Sequence, residues 1–261
     1  MREKILQAIK KSGIETYSVT EKSTEGAELY FIKKDLDMRR MKSEALSDVT
    51  IYRDLEEDGK KMRGSANICI FPEMTQEEVD KAVSGAYYAA SFVKNPYFEL
   101  PKGKKEDTVL VESSLCGKSL EDIGDAFVKA LYSVDVNEDA FINSSEFLMS
   151  KTNTAIYNSE GIDVSYEKYS VSGEFVVQCL TPQDVEQYQD FAYDDLDTEA
   201  LATQAAQALE MVRMRAAATE APEKGNYRLL LSGKELRDLM GLYVSRASAQ
   251  MIYPGYSAYK K

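Results

Sequence analysis

The chain has 261 residues, 44% of them hydrophobic and 29% charged, and carries a net charge of −12. That composition fits a globular protein of one large or two smaller domains. The acidic balance argues against a broad phosphate-binding surface and so against a nucleic-acid partner. No apolar run reaches the roughly 18 residues of a membrane span.

The N-terminus, Met1 to Lys11, alternates charged and apolar residues as a short amphipathic helix does, unlike a signal peptide. A cytoplasmic location follows as the expectation. Strands are predicted over Ile14–Glu21, Glu28–Lys34, Asp48–Asp54 and Ala66–Phe71, from their β-branched and aromatic content. Asp58-Gly59 predicts a hairpin turn between the last two. Thr75-Gln76-Glu77-Glu78 reads as a capping box, and Val79, Ala82, Val83, Ala86 and Ala90 follow at helical spacing. Asn95 to Glu106 holds Pro96, Pro101, Gly103 and several lysines, the pattern of a linker. The basic residues Lys60, Lys61 and Arg63 read as a solvated hairpin end.

Beyond the linker, Ser119 to Asp122 opens a second helix with Ile123, Phe127 and Leu131 on its buried face. Strands are predicted over Ala140–Met149, Thr154–Asn158, Val164–Tyr169, Gly173–Cys179 and Val185–Tyr193, with a turn at Asn158–Gly161. A helix from Asp197 to about Ala218 presents Leu201, Ala205, Ala208, Leu209, Val212 and Ala216. Tyr227–Leu231 reads as a short apolar strand. Ser232-Gly233-Lys234-Glu235 reads as another capping box, before a helix with Leu236, Leu239, Met240, Tyr243 and Val244. The expected fold class is α+β: two units, residues 1–94 and 107–261, with mainly antiparallel sheets flanked by helices.

Residues that carry chemistry are scarce. The chain contains no histidine, which removes Ser–His and Cys–His pairs and any His-ligated metal. Cys69, Cys116 and Cys179 are too scattered for a metal site or disulfide framework and read as buried free thiols. Asp194-Asp195 and Glu56-Glu57-Asp58 read as solvated carboxylates. Asp135 to Asp139 lacks the glycine and spaced glutamate of a calcium loop. Gly117-Lys118-Ser119 matches the tail of a phosphate-binding loop, but Glu112 stands where that loop needs glycine, so a helix start is the better reading. The 17 tyrosines, among them Tyr30, Tyr52, Tyr157, Tyr166 and Tyr169, suit half-buried sheet positions. No residue is assigned a catalytic, cofactor-binding or metal-binding role.

In their order, Met62-Arg63-Gly64-Ser65-Ala66-Asn67, the Thr75 helix, Ile142-Asn143-Ser144-Ser145-Glu146 and Ala155 to Gly161 resemble the TldD/PmbA family, whose PmbA branch is also called TldE. The helices from Asp197 and Ser232 follow in the family's order. The resemblance implies a zinc peptidase family whose active members carry H-E-x-x-x-H on the helix matching Ser232–Ala249. Here that helix reads Leu236-Arg237-Asp238-Leu239-Met240-Gly241-Leu242-Tyr243-Val244-Ser245-Arg246. The motif is absent, as in the TldE-type subunit, which pairs with a zinc-bearing TldD-type subunit. The implied role is a non-catalytic subunit, or a self-associating chain, of a peptidase complex acting on unfolded or leader peptides. Zinc is expected in the partner and not in this chain. The family's C-terminal half is missing, so a truncated chain is expected. The alternatives are a stand-alone binding or scaffold protein with the same fold, and an enzyme working through carboxylates and an oxygen-ligated metal.

Overall fold

In this computed structural model, residues 1–259 are described. A short helix α1 (Arg2–Lys11) leads into two very long strands, β1 (Thr16–Ile32) and β2 (Asp35–Glu57), and then β3 (Lys60–Ile70) and helix α2 (Gln76–Ala90). Two-residue strands β4 (Asn95–Pro96) and β5 (Val109–Leu110) precede helix α3 (Leu120–Tyr132). Strands β6 (Ala140–Asn158), β7 (Asp163–Cys179) and β8 (Val185–Tyr193) and helix α4 (Thr198–Ala216) follow. The chain continues through α5 (Gly233–Ala247) and α6 (Ala249–Ile252). The fold is α+β. Among the described residues, no helix is long and apolar enough to cross a membrane.

One mainly antiparallel sheet of eight strands runs β4-β3-β2-β1-β6-β7, with β5 and β8 sharing the outer edge of β7. The pairs of short strands expected at 14–34, 140–158 and 164–179 are each one continuous strand. The polar residues between the apolar stretches looked like interruptions, yet they pair in unbroken register across β1, β2 and β6. The same register extends β2 back to Asp35, well ahead of its expected start. The Asp58-Gly59 turn is as expected, with both residues at positive φ (49° and 71°), the conformation a two-residue hairpin requires.

Directly opposed residues of an antiparallel sheet share a face. Val19, Ala27 and Leu29 of β1 therefore look to the same side as Val49, Met149, Phe147 and Tyr157. Two cores form on that side. One joins Ile5 and Ile9 of α1 and Val79 and Val83 of α2 to Val19, Val49 and Ile51. The other joins Ile123, Phe127 and Leu131 of α3 and Leu201, Leu209 and Val212 of α4 to Leu29, Phe147 and Phe175. At Gly64 of β3, an added Cβ would lie 1.8 Å from the Ala90 carbonyl oxygen; only glycine lets the strand pass the end of α2 this closely.

The two units expected on either side of residues 95–106 share this one sheet, and the compact division of the chain falls after Ala218 instead. Nor is 95–106 a free linker. Asn95 and Pro96 pair with Arg63 and Met62, and Arg63 Nη1 donates to the Phe98 carbonyl at 2.7 Å. Leu100 is buried, and Asn158 Nδ2 donates to the Pro101 carbonyl at 2.8 Å. The Glu106 amide donates to Asp163 O at 3.0 Å, and Val109 and Leu110 run parallel to Tyr166 and Glu167. The segment is a strap from one sheet edge to the other. Its prolines and glycine serve an irregular path over the strand ends.

Arg63 corrects a second expectation. It is buried and makes a two-pronged pair with Asp54, Nε to Oδ1 at 2.6 Å and Nη2 to Oδ2 at 2.9 Å. The cysteines are not alike either: Cys179 is buried, Cys116 partly so, and Cys69 is exposed. Asp195 is structural, accepting from the Ser114 amide and hydroxyl at 2.8 and 3.0 Å.

Residues 219–259 lie in a separate unit. Tyr227–Leu231 forms no ladder, contrary to expectation, for no strand pairs with it. Helix α5 has no buried residue, and Leu229 and Leu230 are 80% and 97% exposed. Arg246 Nη1 donates to Tyr256 O, and the Ser257 amide donates to Met251 O, so the end of this unit folds back on itself.

A candidate peptide-binding trough

Between the two cores the helix-bearing face of the sheet is polar and largely uncovered, although Ser47 and Tyr169 on it are buried. From Val19 to Ala27, eight residues along β1, the span is about 26 Å at strand rise. The floor consists of Glu21, Ser23 and Glu25 on β1, with Ser47, Ala45 and Ser43 opposite on β2 and Ala155, Asn153 and Lys151 opposite on β6. Ser165, Glu167 and Tyr169 of β7 complete the rows. Side chains too small or too polar for a core break the apolar pattern here, so neither helix pair closes over this band.

The start of each helix layer lines the trough. Met1 borders a hollow of about 180 Å³ over Glu21, Ser23, Ala45 and Asn153. Lys118, Ser119, Leu120 and Glu121 border a larger one of about 730 Å³ over Glu25, Met41, Ser43, Lys151 and Tyr169. The sequence Gly117-Lys118-Ser119 thus reaches a concave surface, but as a helix start: Ser119 Oγ accepts from the Asp122 amide at 3.0 Å, and Glu121 and Asp122 place acid in the first turn. That first turn disfavours an anion.

Opposite charges are paired across the floor. Lys151 sits 3.1 Å from Glu167 and over the Tyr169 ring. The Glu167 carboxylate, and next the Tyr169 hydroxyl, hold its ammonium pKa above the usual lysine value. At the other end Arg2 reaches Asp163 at 2.8 Å and covers Tyr157. Burial, then the Glu21 carboxylate, pushes the Tyr157 phenol well above its ordinary value, so it stays a neutral donor. Arg39 closes on Glu121 at 3.1 Å near the mouth. Glu25 and Lys118 have no ion pair among the described contacts.

Two hydroxyls here donate to carboxylates, Ser119 Oγ to Asp122 Oδ2 at 2.7 Å and Ser47 Oγ to Glu21 Oε1 at 3.4 Å, and among the described residues no three His, Cys, Asp or Glu side chains are grouped to hold a metal. Helix α5 carries two carboxylates, Glu235 and Asp238, and no histidine, so the donors of a His-ligated zinc site are not on that helix. Sequence reasoning missed the trough because Ser23 and Glu25 fell in a presumed gap between strands, just beyond the expected end at Glu21. The available signal was their alternation with Lys22 and Thr24 at strand period.

No protein-family model and no curated protein matches the chain. Solved structures do. A candidate modulator of DNA gyrase from Thermotoga maritima aligns over 99% of this chain and 57% of its own, with a TM-score of 0.72 and 17% identity. TldE from Thermococcus kodakarensis aligns over 79% of this chain and 47% of its own (TM-score 0.57, 17% identity). A second candidate gyrase modulator, from Bacteroides thetaiotaomicron, aligns over 84% and 51% (TM-score 0.56, 13% identity). The chain spans about half the length of these structures, and it has the TldE-like α+β fold.

Proposed function

We propose that the chain is a non-catalytic, TldE-like subunit of a cytoplasmic peptidase complex, and that its trough receives an extended segment of an unfolded or leader peptide. The observation that carries this reading is the trough itself: long, polar, open, and lined by paired charges. A TldD-like partner supplies zinc and cleavage. The exposed apolar residues of α5 support such a partner, because contiguous apolar surface marks an interface.

The test is binding of a fluorescent unstructured peptide to the chain, followed by anisotropy, with and without a TldD-like zinc subunit. Asn153→Trp fills the floor and Lys151→Glu reverses its charge; each is expected to weaken binding about tenfold or more, a loss of about 1.4 kcal/mol. Cleavage is expected only with the zinc subunit present, and hydrogen exchange across residues 233–247 slows when it is added. Equal binding by both variants and the parent chain overturns the trough reading. Tight peptide binding with no effect of any zinc subunit favours a stand-alone binding protein instead.

A further inference from the structure

Strand β2 is longer than its neighbour. It pairs with β1 from Asp35 to Tyr52, but with β3 only from Ser47 to Glu57. Residues 35–46 therefore form an open sheet edge, almost wholly exposed, whose outward amides and carbonyls have no strand partner. Such an edge is a template for another strand unless charge or shape blocks it.

The charges here are segregated. Asp35 and Asp37 stand at one end; Arg39, Arg40 and Lys42 follow, with Glu44 beyond. The edge is locally neutral on a chain of net charge −12, so two copies can approach there without net like-charge repulsion between the edges. Arg40 Nε donates to Glu28 at 2.6 Å, Lys42 lies near Glu28 and Glu44, and Arg39 meets Glu121. Asp35 and Asp37 make no ion pair among the described residues.

We propose that this edge pairs antiparallel with the same edge of a second copy, extending the sheet across a two-fold axis. In the register that sets Asp37 beside Arg40 of the other copy, Asp35 meets Lys42 and Leu36 meets Met41, each contact made twice by symmetry. The bulge at Asp37, between the pairs Tyr30–Met38 and Phe31–Leu36, makes the faces agree on either side of the axis, where Arg39, paired with Glu121 of its own chain, meets its symmetry mate. Leu36 lies on the side of Phe31, as Met41 lies on the side of Ala27; Asp35 lies opposite Ile32, on the side of Arg40 and Lys42. A parallel arrangement would set acid against acid. Ser43 to Ser47 stay outside this pairing, whereas Arg39 and Met41, which border the larger hollow, lie within it.

Sedimentation of the full chain at about 100 μM, where any contact tighter than about 10⁻⁴ M is populated, is expected to show a dimer that weakens as salt rises. Asp35→Lys with Asp37→Arg is expected to raise the dimer Kd about tenfold or more while the melting curve stays that of a folded chain. A second chain with Lys42→Glu, which leaves the Arg40–Glu28 pair in place, is expected to dimerise more weakly alone but to pair with the first variant in a one-to-one mixture. A monomer at all concentrations overturns the proposal. So does a dimer that the Asp35/Asp37 variant leaves unchanged, which places self-association on another surface, or a folded pair of variants that does not mix.

Discussion

Helices α3 and α5 invite comparison. They have 13 and 15 residues, and both repeat apolar side chains at helical spacing. Helix α3 buries Ile123, Phe127 and Leu131 completely, whereas α5 buries nothing. Amphipathic spacing encodes a face ready for burial; the burial needs a surface, and for α3 the long sheet supplies it. The sharpest break of this contrast is a pair of truncations. Phe127→Ala is expected to cost about 3–5 kcal/mol in denaturant unfolding. Leu239→Ala in α5 is expected to stay within about 0.5 kcal/mol. Equal losses would mean that α5 is covered in the isolated chain.

A second contrast separates two segments that both look like connectors. Residues 95–111 are rich in proline, glycine and lysine, yet hydrogen bonds and Leu100 pin them to the sheet. Residues 219–232 have no strand or helix. Limited proteolysis at neutral pH is expected to cut first in 219–232, leaving a fragment of about 218 residues; a first cut in 95–106 would reverse the comparison. The Arg63–Asp54 pair holds the strap's start. The hydrogen bonds from Arg63 keep the Asp54 carboxyl below the usual aspartate range. A carboxyl whose folded value is depressed stabilises the fold above its unfolded value, and that stability is lost as pH falls through the folded value. Asp54→Asn is therefore expected to cost about 1–2 kcal/mol at neutral pH and to expose the strap to protease. The variant and parent stabilities are expected to begin to converge below about pH 4 and to meet as pH falls through the depressed Asp54 value.

These contrasts also say what was legible. The α+β class, the Thr75 and Ser119 helix starts, the Asp58-Gly59 turn and the α4 face were all readable, because each rests on contacts within a few residues. The single sheet was not. Pairing of β1 with β6 joins Val19 to Tyr157 across most of the chain, and nothing local announces it. The trough was hidden for the same reason: its floor takes one row from each of four strands, and Ser23, Ala45 and Asn153 become neighbours only through that register. Arg63 was misread because a lysine-rich neighbourhood on paper becomes a buried pair once β2 and β3 align it near Asp54.

The smallest expected difference lies in the two capping boxes, alike in sequence. At α2 the box is complete. The Thr75 amide donates to Glu78 Oε2 at 2.8 Å, and the Glu78 amide donates to Thr75 Oγ1 at 3.3 Å. At α5, Ser232 makes no side-chain cap. Gly233 follows at φ +56°, a left-handed turn, so the chain enters the helix from a direction that carries the Ser232 hydroxyl away from the free amides. A cap is worth about 1 kcal/mol when its hydrogen bond exists and little when it does not. Thr75→Ala is therefore expected to lower unfolding stability by about 1 kcal/mol, and Ser232→Ala to change it by at most a few tenths. Gly233→Ala sharpens the point. A side chain disfavours the left-handed turn, so this variant drives the entry toward ordinary helix-start geometry and lets Ser232 cap. Helicity across residues 233–247, read by hydrogen exchange, is then expected to rise; unchanged exchange would mean that the turn, not the missing cap, suits this helix.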